Sequence, residues 1–131
     1  MIVLDTHSLI WWISGSKRLP ATAKAAISKA KLRRAIYVSS ISAWEIAMLV
    51  KKKRLQLKWE INEWLEKVEA LPFLKFLPVT NKVAVDSVLL SGNPPADPAD
   101  RIIISTAINL DCSLISGDRK IRSYREIKTI W

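Results

Sequence analysis

Four acidic residues, Asp5, Glu45, Asp100 and Asp118, share one local setting: each follows a short apolar run or falls in the first turn of the helix expected after it. Any one of them has a simple structural explanation. Asp5 and Asp118 read as helix N-caps, Glu45 as the partner of Ser42 in a capping box, and Asp100 as an acid complementing a helix dipole. Together they imply more. If the apolar runs are parallel strands, every following helix starts at the same edge of the sheet, and the four carboxylates converge there. Converging carboxylates cannot all stay ionised without a compensating cation, and an oxygen-only donor set suits Mg²⁺ or Mn²⁺. Zinc chemistry is excluded because the chain has one histidine, His7, and one cysteine, Cys112. A divalent metal held by carboxylates points to hydrolysis of a phosphodiester. The hydroxyls of Thr6 and Ser116, beside Asp5 and Asp118, either orient ligands from behind or cap helices. Asp97 reads as an N-cap, with a place facing the site as the alternative, and His7 as a partly buried residue at a helix start.

The elements that must position these acids follow from the patterning. Met1 to Leu4 is a short apolar run that breaks at Asp5, which suits a strand covered on both faces. Residues 7–14 form a helix closed by Gly15, and Pro20 opens a second helix to about Arg34 with Ala23, Ala26, Ile27 and Ala30 inward. Residues 35–38 are a second strand running into residues 39–46, which begin a helix, with Ser42 and Glu45 at capping-box spacing, that ends in the cations Lys51 to Arg54. A further helix covers about 58–70, with Ile61, Trp64, Leu65 and Val68 on one face. Residues 74–79 form a third strand, and Thr80 caps a helix to about Leu90. Asp97-Pro98 is the clearest helix start in the chain, 112–115 a fourth strand, 116–118 a turn, and 127–130 a fifth strand. This alternation predicts a three-layer α/β/α sandwich with a mostly parallel, roughly five-stranded central sheet.

Composition narrows the setting. The 131 residues, half of them hydrophobic, suffice for one domain, residues 1–131, with its own core. The lone Cys112, read as a core residue, excludes a disulfide framework and favours a reducing, cytoplasmic setting. No signal peptide or membrane span is expected, since the first apolar run stops at Asp5 and no later run is long enough. The net charge of +9 calls for an anionic partner, with nucleic acid first.

Taken in order, Ile-Val-Leu-Asp5-Thr-His-Ser-Leu-Ile-Trp-Trp, Ser-Ala-Trp-Glu45-Ile, Asp-Pro-Ala-Asp100-Arg-Ile-Ile and Leu-Ile-Ser-Gly-Asp118 resemble the PIN domain, specifically the VapC-type toxins. The resemblance spans essentially the whole chain. It implies a Mg²⁺- or Mn²⁺-dependent endoribonuclease, the toxin of a toxin–antitoxin pair, working as a homodimer and restrained by a cognate antitoxin. Asp5, Glu45 and Asp100 match the family's three core acids, and Asp118 its more variable fourth. On that basis Asp5, Glu45, Asp100 and Asp118 are the expected catalytic set, with Asp5, Asp100 and Asp118 on the metal. Gly117 stands where a larger residue is often found. RNA contacts are expected at Arg101, Lys51, Lys52 and Arg119, with Lys120, Arg122 and Arg125 also available. Trp11, Trp12, Trp44 and Trp64 are expected in the core or an interface. The competing readings are a non-catalytic RNA-binding or regulatory module and a DNA-directed nuclease.

Overall fold

The computed structural model describes residues 1–131. Its five strands are β1 (Ile2–Leu4), β2 (Ile36–Ser39), β3 (Leu74–Leu77), β4 (Ser113–Ile115) and β5 (Thr129–Ile130). They form one sheet in the order β3-β2-β1-β4-β5, and all four ladders are parallel. The sheet is therefore wholly parallel, a stronger result than the mostly parallel expectation. The chain winds outward from β1 in both directions, so β1 is central and its three residues are all buried. A continuous Ile-Val-Leu run is what a strand covered on both faces requires.

Seven helices cover the faces: α1 (Thr6–Ser14), α2 (Ala21–Leu32), α3 (Ser40–Lys51), α4 (Ile61–Glu69), α5 (Asn81–Val88), α6 (Pro98–Asn109) and α7 (Arg119–Arg122). Successive side chains of β1 point to opposite faces, and the two cores divide accordingly. Ile2 and Leu4 join Leu9, Ile27, Ile46, Trp64 and Ile115 on one side, whereas Val3 joins Ile103, Ile104, Leu114 and Ile121 on the other. Trp64 is in the core as expected, and Trp11 and Trp12 pack against it half-buried. Trp44, 57% exposed, is outside the core, which leaves an interface as its expected place. Cys112 is half-buried at the edge of the second core, and burial pushes its thiol pKa up.

Local chemistry sets most boundaries. Gly15 closes α1 in the left-handed conformation at φ 68°, a position glycine adopts without strain. Thr80 accepts from the Val83 N–H at the start of α5, and Asp97 accepts from the Asp100 N–H ahead of Pro98 in α6. α3 starts within the expected stretch 39–46, but the expected capping box is absent. Its cap is Ser39, which accepts from the Ile41 N–H, so the helix begins before Ser42 and there is no Ser42–Glu45 capping box. That releases both side chains for other partners.

Candidate active site

Because the strands are parallel, β1, β2 and β4 all deliver their following residues to one edge of the sheet. Asp5 follows β1, Glu45 lies in the second turn of α3 after β2, Asp118 follows β4, and Asp100 sits in the first turn of α6. Asp5 is buried, at 6% exposure; Glu45 and Asp100 are half-buried and Asp118 is exposed. Neighbouring acids disfavour one another's charge, and Asp100 feels four others. The Asp100 pKa is pushed up to about 7, first by burial and then by the charges of Asp97, Asp118, Glu45 and Asp5. Burial also raises Asp5, against the lowering effect of hydrogen bonds from Ser116 and Ser8. Glu45 is raised by burial, partly offset by its bond from Thr6 and increased again by Asp97.

The neighbours of the acids fix their positions. Thr6 Oγ1 donates to Glu45 Oε1 at 2.5 Å and lies 2.9 Å from Ser42 Oγ, tying α1 to α3 behind the site. The Asp5 side chain accepts from the Ser8 N–H at 2.9 Å, so it is both an N-cap and a member of the cluster. Ser116 is fully buried, and its Oγ accepts from the Asp118 N–H at 3.1 Å. Asp118 in turn accepts from the Lys120 and Ile121 N–H groups. The expected turn at 116–118 therefore passes straight into α7. Gly117 has a packing reason: a Cβ there would lie 2.5 Å from the Trp131 ring, which also stacks at 5.7 Å on Trp11.

Sequence patterning understates three residues and misplaces a fourth. Asp97 caps α6 and also raises both Asp100 and Glu45, so it belongs to the acid group; its i,i+3 relation to Asp100 is the available signal. Ser8, whose Oγ donates to the Ile115 carbonyl, and Ser42 are fully buried behind the acids, in contacts with no local sequence signature. His7 is exposed against Trp11, and not partly buried as expected.

Oxygen-only donors that repel one another fit a hard divalent cation, Mg²⁺ or Mn²⁺, with Asp5, Asp100 and Asp118 available to it. In this arrangement no three Asp, Glu, His or Cys side chains are gathered around one point. Glu45 accepts from Thr6 and Asp5 from Ser8.

The expected RNA-contacting cations separate in space. Arg119 adjoins Asp118 at the acid edge. Arg101 is half-buried and turned to the preceding loop, with Nε–H donating to the Pro95 carbonyl at 2.6 Å and no ion pair to Asp100. Lys51 and Lys52 end α3, at the edge opposite its start, roughly 18 Å away for 12 residues at 1.5 Å each.

The family profile described as PIN domain matches residues 2–127. Ribonuclease VapC22 of Mycobacterium tuberculosis (strain ATCC 25618 / H37Rv) is 34% identical over 132 aligned residues, covering 99% of this chain and 98% of the relative. Among solved structures, a toxin–antitoxin complex from Klebsiella pneumoniae contains a chain similar at TM-score 0.66 and 21% identity, with 97% of this chain and 95% of that one covered. FitAcB from Neisseria gonorrhoeae contains another at TM-score 0.66 and 21% identity, covering 98% and 96%. The acids at one edge of a wholly parallel sheet, with a sequence match running nearly end to end, make this chain a member of the PIN-domain family.

Proposed function

We propose that the protein is a divalent-metal-dependent endoribonuclease that acts as the toxin of a type II toxin–antitoxin pair. The observation that carries the reading is Asp100: burial and four other carboxylates at the carboxyl edge of the sheet hold its pKa near 7, an arrangement that serves a cation far better than it serves stability. A bound Mg²⁺ or Mn²⁺ supplies the compensating charge there, activates water and offsets charge on the phosphate. Asp5, Asp100 and Asp118 would hold it, and Glu45 would complete the catalytic set. Thr6 fixes Glu45, while Ser8 and Ser116 fix Asp5.

RNA as the substrate is supported by the near full-length match to a ribonuclease and by the net charge of +9. An antitoxin partner is supported by the toxin–antitoxin complexes whose chains share the fold. A second copy of the chain or the antitoxin accounts for the exposed apolar residues Trp44, Val85, Val88 and Leu89, which water alone leaves unfavourably bare. No helix is long and apolar enough to cross a membrane, and we place the activity in the cytoplasm.

The test is cleavage of single-stranded and structured RNA with added Mg²⁺ or Mn²⁺. EDTA should abolish cleavage, and Asp5→Asn or Asp100→Asn should lower it by at least about a hundredfold, the upper end of what even a metal's outer partners cost. Cleavage indifferent to EDTA and to both substitutions overturns the metal mechanism. One observation favours a non-catalytic module: Asp5, Asp97 and Asp118 each cap a helix. RNA binding without cleavage under any metal condition would establish that reading, and equal digestion of DNA alongside RNA would reassign the substrate.

A further inference from the structure

A cavity of about 560 Å³ opens between the loop at residues 92–96 and the stretch from Arg119 to Glu126. That volume falls in the range that takes a small organic ligand or one nucleotide. Arg119, Lys120 and Arg125 line it, with Glu126 as the only acid among its walls. All three cations are exposed, and none is within ion-pair distance of a carboxylate; the chain's single salt bridge is Lys82–Asp86, elsewhere. Three unpaired cations around one concavity form a site for an anion.

The walls are built before any ligand arrives. Tyr124, 3% exposed, donates its hydroxyl hydrogen to the Ser91 carbonyl at 2.7 Å, and Arg101 Nε–H donates to the Pro95 carbonyl at 2.6 Å. These bonds pin both ends of the loop. A preformed concavity binds without first ordering its own backbone. The cavity also continues the acid edge: Ala96 precedes Asp97 on one wall, and Arg119 follows Asp118 on the other.

We propose that this cleft is a second contact site for the RNA strand, one that holds a backbone phosphate flanking the phosphodiester at the acid cluster. The inference rests on the ribonuclease reading above. Phosphate, and not the base, is the group recognised, because the one aromatic ring in the wall is buried with its hydroxyl committed and offers no face for stacking. A protein segment fits less well: few of the lining residues are apolar, and no apolar anchor is presented. Arg101 holds the rim through its Nε–H bond to the Pro95 carbonyl.

The experiment measures binding of a single-stranded RNA oligonucleotide in EDTA, with cleavage measured separately in Mg²⁺ or Mn²⁺. The triple variant Arg119→Gln, Lys120→Gln, Arg125→Gln is compared with Lys24→Gln, Lys29→Gln, Arg33→Gln, which removes the same charge from the exposed outer side of α2 and its C-cap. Both should melt with the wild type. The cleft variant should bind RNA at least tenfold more weakly, with the slope of log affinity against log salt reduced by about 0.7 for each phosphate that is no longer neutralised; the α2 variant should change less than threefold. Equal effects of the two triples overturn the proposal, as does a cleft variant that binds RNA normally but no longer binds the cognate antitoxin. Competition by inorganic phosphate as strong as by RNA would mark a site for free phosphate and also overturn it. If the wild type binds RNA through the cleft yet cleaves none, the ribonuclease reading fails and the cleft stands; if both proteins cleave and bind alike, the reverse holds.

Discussion

Burial and neighbouring carboxylates push the Asp100 pKa up to about 7, and this makes its cost to the metal-free protein dependent on pH. Its folded pKa, about 7, lies above the ordinary 3.8, so the folded state binds protons more tightly than the unfolded state between those values. The penalty is therefore absent below about pH 4, grows as pH rises toward 7 and is complete above it. Asp100→Asn removes the charge but leaves the α6 cap intact, because the cap is the Asp97 carboxylate accepting from the backbone N–H of residue 100. In EDTA the variant should melt like the wild type near pH 4 and higher than it near pH 8; thermal unfolding at the two pH values checks this. A variant that melts lower at both would show that the carboxylate supports the fold. At this scale Asp5, Asp100 and Asp118 are legible in the sequence, since each stands where a strand ends or a helix begins, whereas Glu45 lies a turn further into α3. The Thr6–Ser42 bond is not legible, because it joins residues 36 apart and exists only once α1 and α3 are packed.

That bond acts between elements. Thr6, 3% exposed, is the clamp between the first turn of α1 and the side chains of Ser42 and Glu45 on α3. Thr6→Val keeps the shape and removes the donor, leaving a buried hydroxyl and a half-buried carboxylate short of a partner at a cost of about 1–3 kcal/mol. Denaturant unfolding should show that loss, cleavage should fall with it as Glu45 loses its fixed position, and Thr6→Ser should restore both. The same region shows why the expected capping box is absent. Ser42 and Glu45 have capping-box spacing, but Ser39, at the end of β2, takes the cap first and α3 starts sooner. Elsewhere local chemistry decides the element, as at Gly15, Thr80 and Asp97-Pro98, and the expected boundaries lie close to the observed ones. The fifth strand is shorter than 127–130 because only Leu114 and Ile115 of β4 pair with it.

Across the whole molecule, charge is arranged by the direction of the sheet. Parallel strands send helix starts to one edge and helix ends to the other, so the acids gather where α1, α3 and α6 begin, while Lys51 to Arg54 gather where α3 ends. The net charge of +9 draws RNA toward the protein generally, but only cations beside the acid edge share a strand held there. RNA affinity should fall steeply with salt, and neutralising Lys51, Lys52, Lys53 and Arg54 together should leave the slope of that fall nearly unchanged; a clearly flatter slope would mean that the strand wraps to the far edge. The sheet order itself is not legible in the sequence: alternation of strands and helices implies parallel pairing, but nothing local places β1 between β2 and β4. Nor does anything near Gly117 announce that a ring from residue 131 occupies the space of its missing side chain. That packing has a consequence in time. Synthesis runs from the amino end, so all the acids, from Asp5 to Asp118, are joined before Trp131 is added. The packing behind Gly117, next to Asp118, is thus completed only after every acid of the group has been joined to the chain.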